Sequence, residues 1–443
     1  MTRIVSVTSI PLKRDSRTLR VASSIARLGY ESVVVEAEPS DLECDGLPFQ
    51  LISARPEIPT PDAAAGAGRS APVEAAAKSP PAKAPAASRL VSALPEPLAG
   101  PLRALAASVN GVRGFTALLR LYVRDYLRGN RETEAVLPPA DIYYLRSYPQ
   151  VLAVARMCRR TGAKLLYDSP DAYWEPEPWH DKAPASRVAL KLYELAERFA
   201  ARRAVWFTSA SEGQAELIEK RFKRRPLVLH NYHDPRNDTD AERDVREVTG
   251  VGDDDFLLVT VGNAKPGMTV DEAIAALELL PDRVHLAFVG RGFEPWASRA
   301  EDPALGGRLH LVSHVPPTEI VSFIRRADAF PIFYRPLSAN DRVAVPNKIF
   351  HAIAAGLPVL YPPIGPIKTI GDEHELGLEM DTADPESIAT AVLPLSEDPG
   401  LASRYAENAR RAAQSLSWER EEETLAKMIA STLKGTPVRA PAS

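Results

Sequence analysis

The chain alternates short apolar runs with segments whose apolar residues recur three and four positions apart, the periods of strands and helices. In the first half the pattern predicts strands at Arg3–Ser9, Glu31–Ala37, Ile142–Ser147, Ala163–Ser169, Ala204–Ala210 and Pro226–Tyr232, and helices at Arg17–Leu28, Tyr148–Arg160, Ser186–Arg203 and Ser211–Arg221. In the second half it predicts strands at Phe256–Gly262, Val284–Gly290, Leu309–Val315, Ala329–Tyr334 and Pro358–Pro362, with helices near Thr269–Leu280, Thr318–Arg326, Lys348–Ala355 and Pro385–Leu395. Strands that are apolar throughout imply parallel sheets covered on both faces. Two such sets, divided near Asn237–Gly252, predict an α/β fold of two facing, doubly wound domains over residues 1–236 and 253–415, joined by a linker at 237–252. Ligands of such sheets sit beyond the carboxyl ends of the strands, here between the domains.

Two stretches depart from this alternation. Arg55–Pro101 is rich in Ala and Pro and reads as a disordered insertion. Leu102–Arg128 reads as a basic amphipathic helix, with Arg103, Arg113, Arg120, Arg124 and Arg128 against the single acid Asp125. It would either lie on anionic lipid or pack on its own domain with a solvated basic face. A last helix, Trp418–Leu433, follows an N-cap at Ser417 with four Glu near its start, and residues 435–443 read as a disordered tail.

Composition narrows the class. A length of 443 residues and ordinary apolar and charged fractions fit a globular protein of two or three domains. The net charge of -4 argues against a nucleic-acid partner. Cys44 and Cys158 make no disulfide framework or metal site, so a reducing cytoplasm is expected. No secretory signal or spanning apolar run is evident, so any membrane contact would be peripheral, on the inner leaflet.

The most informative run is Val345–Leu360. Pro346 suits a helix start, Asn347 an N-cap, Gly356 the left-handed position past the helix end, and Pro358 a stop. Lys348 then stands beside a helix N-terminus that favours an anion, although the run also reads simply as helix punctuation. No metal cluster, covalent-hydrolase signature, dinucleotide fingerprint or phosphate-binding Walker loop is present. What remains is a polar set at strand ends: Gly262, Asn263 and Lys265; Arg291; His314; and Asn340, Asn347 and Lys348. Two lysines and an arginine on one sheet edge fit a diphosphate.

These motifs resemble the GT-B glycosyltransferases, specifically the large retaining family 4. The resemblance runs in order through Asp15-Ser16-Arg17-Thr18-Leu19-Arg20, Tyr167-Asp168-Ser169, His230-Asn231-Tyr232, Val261-Gly262-Asn263, Phe288-Val289-Gly290, Ala327-Asp328-Ala329 and Leu416-Ser417-Trp418-Glu419. Pro346-Asn347-Lys348 joined to Ala354-Ala355-Gly356-Leu357-Pro358-Val359 is similar to a subgroup common in bacterial surface-polysaccharide synthesis. It implies two Rossmann-like domains and a crossover helix at 416–434 that returns to the first domain. It also implies a UDP- or GDP-linked sugar as donor substrate, no cofactor and no metal, and a glycan or lipid-linked acceptor. Lys348 and Lys265 would contact the diphosphate, helped by Asn347. His351 would sit near the ribose, and the segment around His314–Pro317 would border the base. Asp171 would act in the cleft, with Asp15, Arg17, Arg146 and Tyr173 toward the acceptor.

Three departures accompany the resemblance. The two Glu of many relatives fall on Val343 and His351, the cleft His falls on Pro170, and the Gly pair after the first strand is absent from Ile10-Pro11-Leu12-Lys13-Arg14-Asp15. Two other readings therefore stay open: a catalytically degenerate relative acting as a partner or scaffold, and a nucleotide-sugar 2-epimerase.

Overall fold

The computed structural model describes residues 1–40, 46–55, 123–175 and 184–435. The expected insertion from 56 to 101, most of the expected basic helix, Cys44 and the tail from 436 lie outside them. Only the end of that helix is described, with residues 123–136 helical.

The first domain is a parallel sheet of seven strands: β1 (Arg3–Thr8), β2 (Glu31–Glu36), β3 (Gln50–Ser53), β4 (Ile142–Arg146), β5 (Lys164–Asp168), β6 (Trp206–Ser209) and β7 (Leu227–Val228), in spatial order 3-2-1-4-5-6-7. Its helices are α1 (Ser16–Arg27), α2 (residues 123–136), α3 (Val151–Thr161), α4 (Pro184–Arg203) and α5 (Glu212–Phe222). Val5, Val7, Tyr143 and Leu145 pack on one face of the sheet with Val154 and Met157 of α3. Ile4, Ile142 and Leu166 pack on the other with Val21 and Ile25 of α1. Alternate residues of one strand thus serve opposite cores, which is why the strands read as unbroken apolar runs.

The second domain holds β8 (Phe256–Val261), β9 (Val284–Val289), β10 (Leu309–Val312), β11 (Phe330–Pro331), β12 (Val359–Tyr361) and β13 (Gly377–Glu379). A parallel bridge between Leu258 and Ala329 joins the runs 10-9-8 and 11-12-13, giving the order 10-9-8-11-12-13. The strand order reverses between β1 and β4 in one domain and between β8 and β11 in the other, so each crevice opens at the carboxyl edge. Its helices are α6 (Val270–Glu278), α7 (Asn347–Ala354), α8 (Gly365–Glu373), α9 (Pro385–Glu397) and α10 (Pro399–Ser415).

The chain ends on α11 (Trp418–Lys434), which packs in the first domain. Trp418, Leu425 and Ile429 are buried with Ile4 and Val21, and the Trp418 indole donates to Ser24 Oγ at 2.8 Å. β7 is shorter than its apolar pattern because the chain leaves the sheet to meet α11. The His230 N–H donates to Glu421 Oε2 at 3.0 Å, and the Trp418 N–H donates to the His233 carbonyl at 3.1 Å. By Thr239 the backbone already bonds to Thr318, and Val245 lies in the second-domain core.

Candidate functional site

The carboxyl edge of the second domain is built around Gly262, which ends β8 with φ +125°. A Cβ there would come within 3.6 Å of Lys348 Nζ, and one on Gly290 would meet the Gly262 carbonyl oxygen at 2.2 Å. The glycines therefore let the loops after β8 and β9 touch, and let Lys348 lie along the first of them. The Arg291 N–H donates to Asn263 Oδ1 at 3.2 Å and fastens the second loop to the first.

Lys348 is the second residue of α7. Pro346, in extended conformation, is the N-cap and has no capping side chain. This corrects the expected role of Asn347, whose amide accepts from Asn231 Nδ2 and reaches Ser16 Oγ at 3.4 Å, across the domain boundary. With no side-chain cap, the first N–H groups of α7 keep their pull on an anion. Gly356 takes the left-handed position past the helix end, with φ +70°.

Among the described residues Lys348, Lys265 and Arg291 have no ion-pair partner, and Lys265 lies 6.0 Å from the Tyr334 ring centre. Burial, then the neighbouring Lys265 charge, pushes Lys348 down to about 8. Burial, then Arg291, Arg14 and Lys13, lowers His314 to about 4, so it is neutral at pH 7. Lys13 and Arg14, on a 3-10 turn just after β1, thus act on the same neighbourhood from the first domain. Sequence reasoning did not assign them a role, though they fill the stretch where relatives carry glycines. The edge gathers cations whose charge no carboxylate of this chain matches, an arrangement suited to an anionic ligand.

The first-domain candidates are engaged otherwise. Asp15, 1% exposed, caps α1 by accepting from the Thr18 N–H at 3.1 Å, and it also pairs with Arg146 at 3.1 Å. Arg17, also 1% exposed, makes a two-pronged pair with Asp168 at 2.7 and 2.8 Å. Burial opposes ionisation of Asp168, but the Arg17 guanidinium outweighs it and holds the carboxyl below its ordinary range. The expected acceptor contacts of Asp15 and Arg17 are therefore replaced by structural ones. Arg146 stays partly exposed, and the Tyr173 hydroxyl bonds Ser147 Oγ at 2.6 Å. Ser147, at φ +66°, is held in that strained turn by this bond and by its N–H to the Asp168 carbonyl.

Asn340 is also reassigned. Its oxygen accepts from the Ala172 N–H at 2.9 Å and from Gln214 Nε2 at 3.2 Å, while its nitrogen donates to Asp171 Oδ1 at 3.3 Å. The amide is spent in joining the two domains, and Asp171 faces amides rather than open cleft. Beside it, Gly213 leaves room for Val343, since a Cβ there would come within 2.7 Å of the valine Cβ. His351 is buried against His233, ring centres 5.5 Å apart, and burial together with His233 and Arg20 keeps it neutral. A wider hollow lined by Asp253, Arg326, Gly356 and Arg410 opens at the opposite edge of β8 and β12 and shares no residue with this set. Among the described residues no group of His, Cys, Asp and Glu could hold a metal ion, and no helix is long and apolar enough to cross a membrane.

Known proteins share both the sequence and the fold. Residues 241–412 match the family of glycosyl transferases group 1. A D-inositol 3-phosphate glycosyltransferase of Xylanimonas cellulosilytica is 29% identical over 214 residues, 46% of this chain and 49% of that protein, so the chain spans about half the length of the curated relatives it matches. The crystal structure of Anabaena Alr3699/HepE in complex with UDP and glucose superposes with a TM-score of 0.61 at 13% identity, covering 97% of this chain and 100% of that one. Sucrose-phosphate synthase of Thermosynechococcus elongatus superposes with a TM-score of 0.65 at 12% identity, covering 98% and 100%. The chain has the GT-B fold of these glycosyltransferases, and its residues 241–412 form a domain of the glycosyl transferases group 1 family.

Proposed function

We propose that the protein is a retaining, metal-independent glycosyltransferase. It moves a sugar from a UDP- or GDP-linked donor to a glycan or lipid-linked acceptor, in surface or exopolysaccharide synthesis at the cytoplasmic face of the membrane. The observation that carries this reading is the pair Lys348 and Lys265, without carboxylate partners, beside the uncapped start of α7. Both lie in the region that matches the glycosyl transferases group 1 family. In the reaction the bond from the anomeric carbon to the diphosphate oxygen breaks, and the acceptor oxygen bonds to that carbon on the same face. The acceptor proton passes to a phosphate oxygen. Negative charge grows on the diphosphate, and Lys348, Lys265 and the α7 N–H groups meet it without rearranging. Asn263 and Arg291 shape the loop edge, and His314 borders the base. On the acceptor side Arg146 and Tyr173 remain the residues placed to touch substrate, with Asp171 behind them.

A second reading, a GT-B protein that has lost catalysis and serves as a partner, is favoured by one observation. The positions of the two expected Glu hold Val343, packed at Gly213, and His351, packed on His233. A panel of nucleotide sugars, with and without extracts containing lipid-linked acceptor, separates them. Release of nucleotide and an α-configured product from an α-linked donor support transfer with retention. Binding of nucleotide with no turnover on any donor supports the partner reading, and epimerised nucleotide sugar without acceptor supports an epimerase.

A further inference from the structure

Arg20 stands apart from the other buried charges. It is 4% exposed and stacks 5.4 Å from the Trp418 ring, yet no carboxylate of the described residues pairs with it. One of its terminal nitrogens donates to Asn231, and its Nε has no partner. Arg17, one turn earlier, has its own carboxylate in Asp168. An unmatched buried guanidinium is costly, and it is tolerated where a ligand supplies the missing charge.

The Nε lies at a narrow crevice between the domains, lined by Ser16, Arg20, His233, Asp238, Thr318 and His351. His351 and His233, 6% and 8% exposed, each have an Nδ1 without a partner, so three buried polar atoms lie unsatisfied around one space. The crevice acids are already matched. Asp238 bonds His233 Nε2 at 2.9 Å, and Asp234 pairs with Arg27 and Arg236. A carboxylate at position 351 would have neutralised Arg20 and accepted hydrogen bonds from sugar hydroxyls. A neutral imidazole leaves a cation that only donates, so the ligand must bring an acceptor with negative charge.

We propose that this crevice is a phosphate subsite, in which Arg20 and His351 grip one phosphate group from opposite domains. His351 lies one turn along α7 from Lys348, so a diphosphate lying at the start of α7 is the nearest source of that group. Only this choice of source rests on the donor reading above. A phosphate on the acceptor would satisfy the same chemistry. Burial, then Arg17, lowers Arg20 to about 9, and a bound phosphate reverses that penalty.

The test follows the Arg20 Nε–H resonance of the full chain by NMR, assigned by its disappearance in Arg20→Lys, during titration with pyrophosphate, UDP, GDP and uridine. The expected result is a saturable shift with pyrophosphate and with one nucleoside diphosphate, and none with uridine. Arg20→Gln should weaken pyrophosphate binding at least tenfold, and Arg20→Lys less. A shift with pyrophosphate beside a silent response to a nucleotide that does bind keeps the subsite and assigns it to a second, phosphate-bearing ligand. A shift with pyrophosphate when no nucleotide binds keeps the subsite and removes the donor reading. An unmoved Arg20 resonance at saturating pyrophosphate overturns the proposal, whether or not Arg20→Gln folds.

Discussion

The two walls of the cleft use charge in opposite ways. On the first-domain wall Asp15 pairs with Arg146, Arg17 with Asp168, and Asp171 with the amides of Asn340 and Gln214. On the second-domain wall Lys348, Lys265 and Arg291 have no carboxylate among the described residues, and the helix start beside Lys348 has no cap. A matched charge holds the fold and has little left to offer a ligand, whereas an unmatched one is a standing cost that a ligand relieves. The walls therefore differ less in how many charges they carry than in how many are already satisfied. Arg20 is the exception, an unmatched cation contributed by the first domain.

If that contrast is right, substitutions on the two walls should separate stability from binding. The largest effect is expected for Asp168→Ala, which strands Arg17 in the core and should cost roughly 3–5 kcal/mol of stability by denaturant unfolding. Glu197 comes next. Buried beneath the same wall, it accepts from Ser169 Oγ at 2.7 Å, and burial raises it to about 8. Its folded value lies above its unfolded one, so its contribution is complete below the ordinary Glu range and is lost as pH rises toward 8. Glu197→Gln should remove that loss, narrowing the stability difference between pH 5 and pH 8 by on the order of 2 kcal/mol. Lys348→Ala should cut nucleotide affinity or transfer at least tenfold, about 1.4 kcal/mol, while leaving the melting temperature unchanged or higher. Loss of stability with unchanged binding would erase the contrast.

Asn340→Ala tests the seam between the walls. It should cost about 1 kcal/mol of stability through the lost bonds to Ala172 and Asp171, with donor affinity changed only a few-fold. The smallest expected effect is one of pH. Lys348 loses its proton near pH 8 in the free protein, so nucleotide affinity should fall a few-fold between pH 7 and pH 9, and in Lys348→Ala that dependence should flatten.

Much of the fold was legible because each core strand is apolar on both faces and each is closed by a polar strand end. β3 and β13 were missed. β13, Gly377–Glu379, has three residues and depends on Gly377 lying against Val359, where a Cβ would fall 2.0 Å from the carbonyl oxygen. Such a strand is specified by its neighbours and not by its own pattern. α8 and α10 were missed for a related reason: α10 is mostly Ala, Arg and polar residues and buries a narrow stripe of Tyr405, Ala409 and Ala412.

The site was legible where the signal is local, and less so where it is a matter of partners. Lys348, Gly262 and Gly356 could be read from helix and turn chemistry. Whether Asn340 or Arg17 is available to a ligand depends on Asp171 and Asp168, more than a hundred residues away in the chain. The same limit hid Arg20, whose importance lies in the carboxylate it lacks.

The central claim is that the unmatched cations at the carboxyl edge of β8 and the start of α7 hold a nucleoside diphosphate. Calorimetric titration of the full chain at pH 7 with UDP, GDP, ADP and TDP, each beside its parent nucleoside, tests it most directly. The account predicts that at least one diphosphate binds tenfold or more tighter than its nucleoside, with the difference abolished in Lys348→Ala. Equal affinity for diphosphate and nucleoside, or no binding by any of the four, would contradict it.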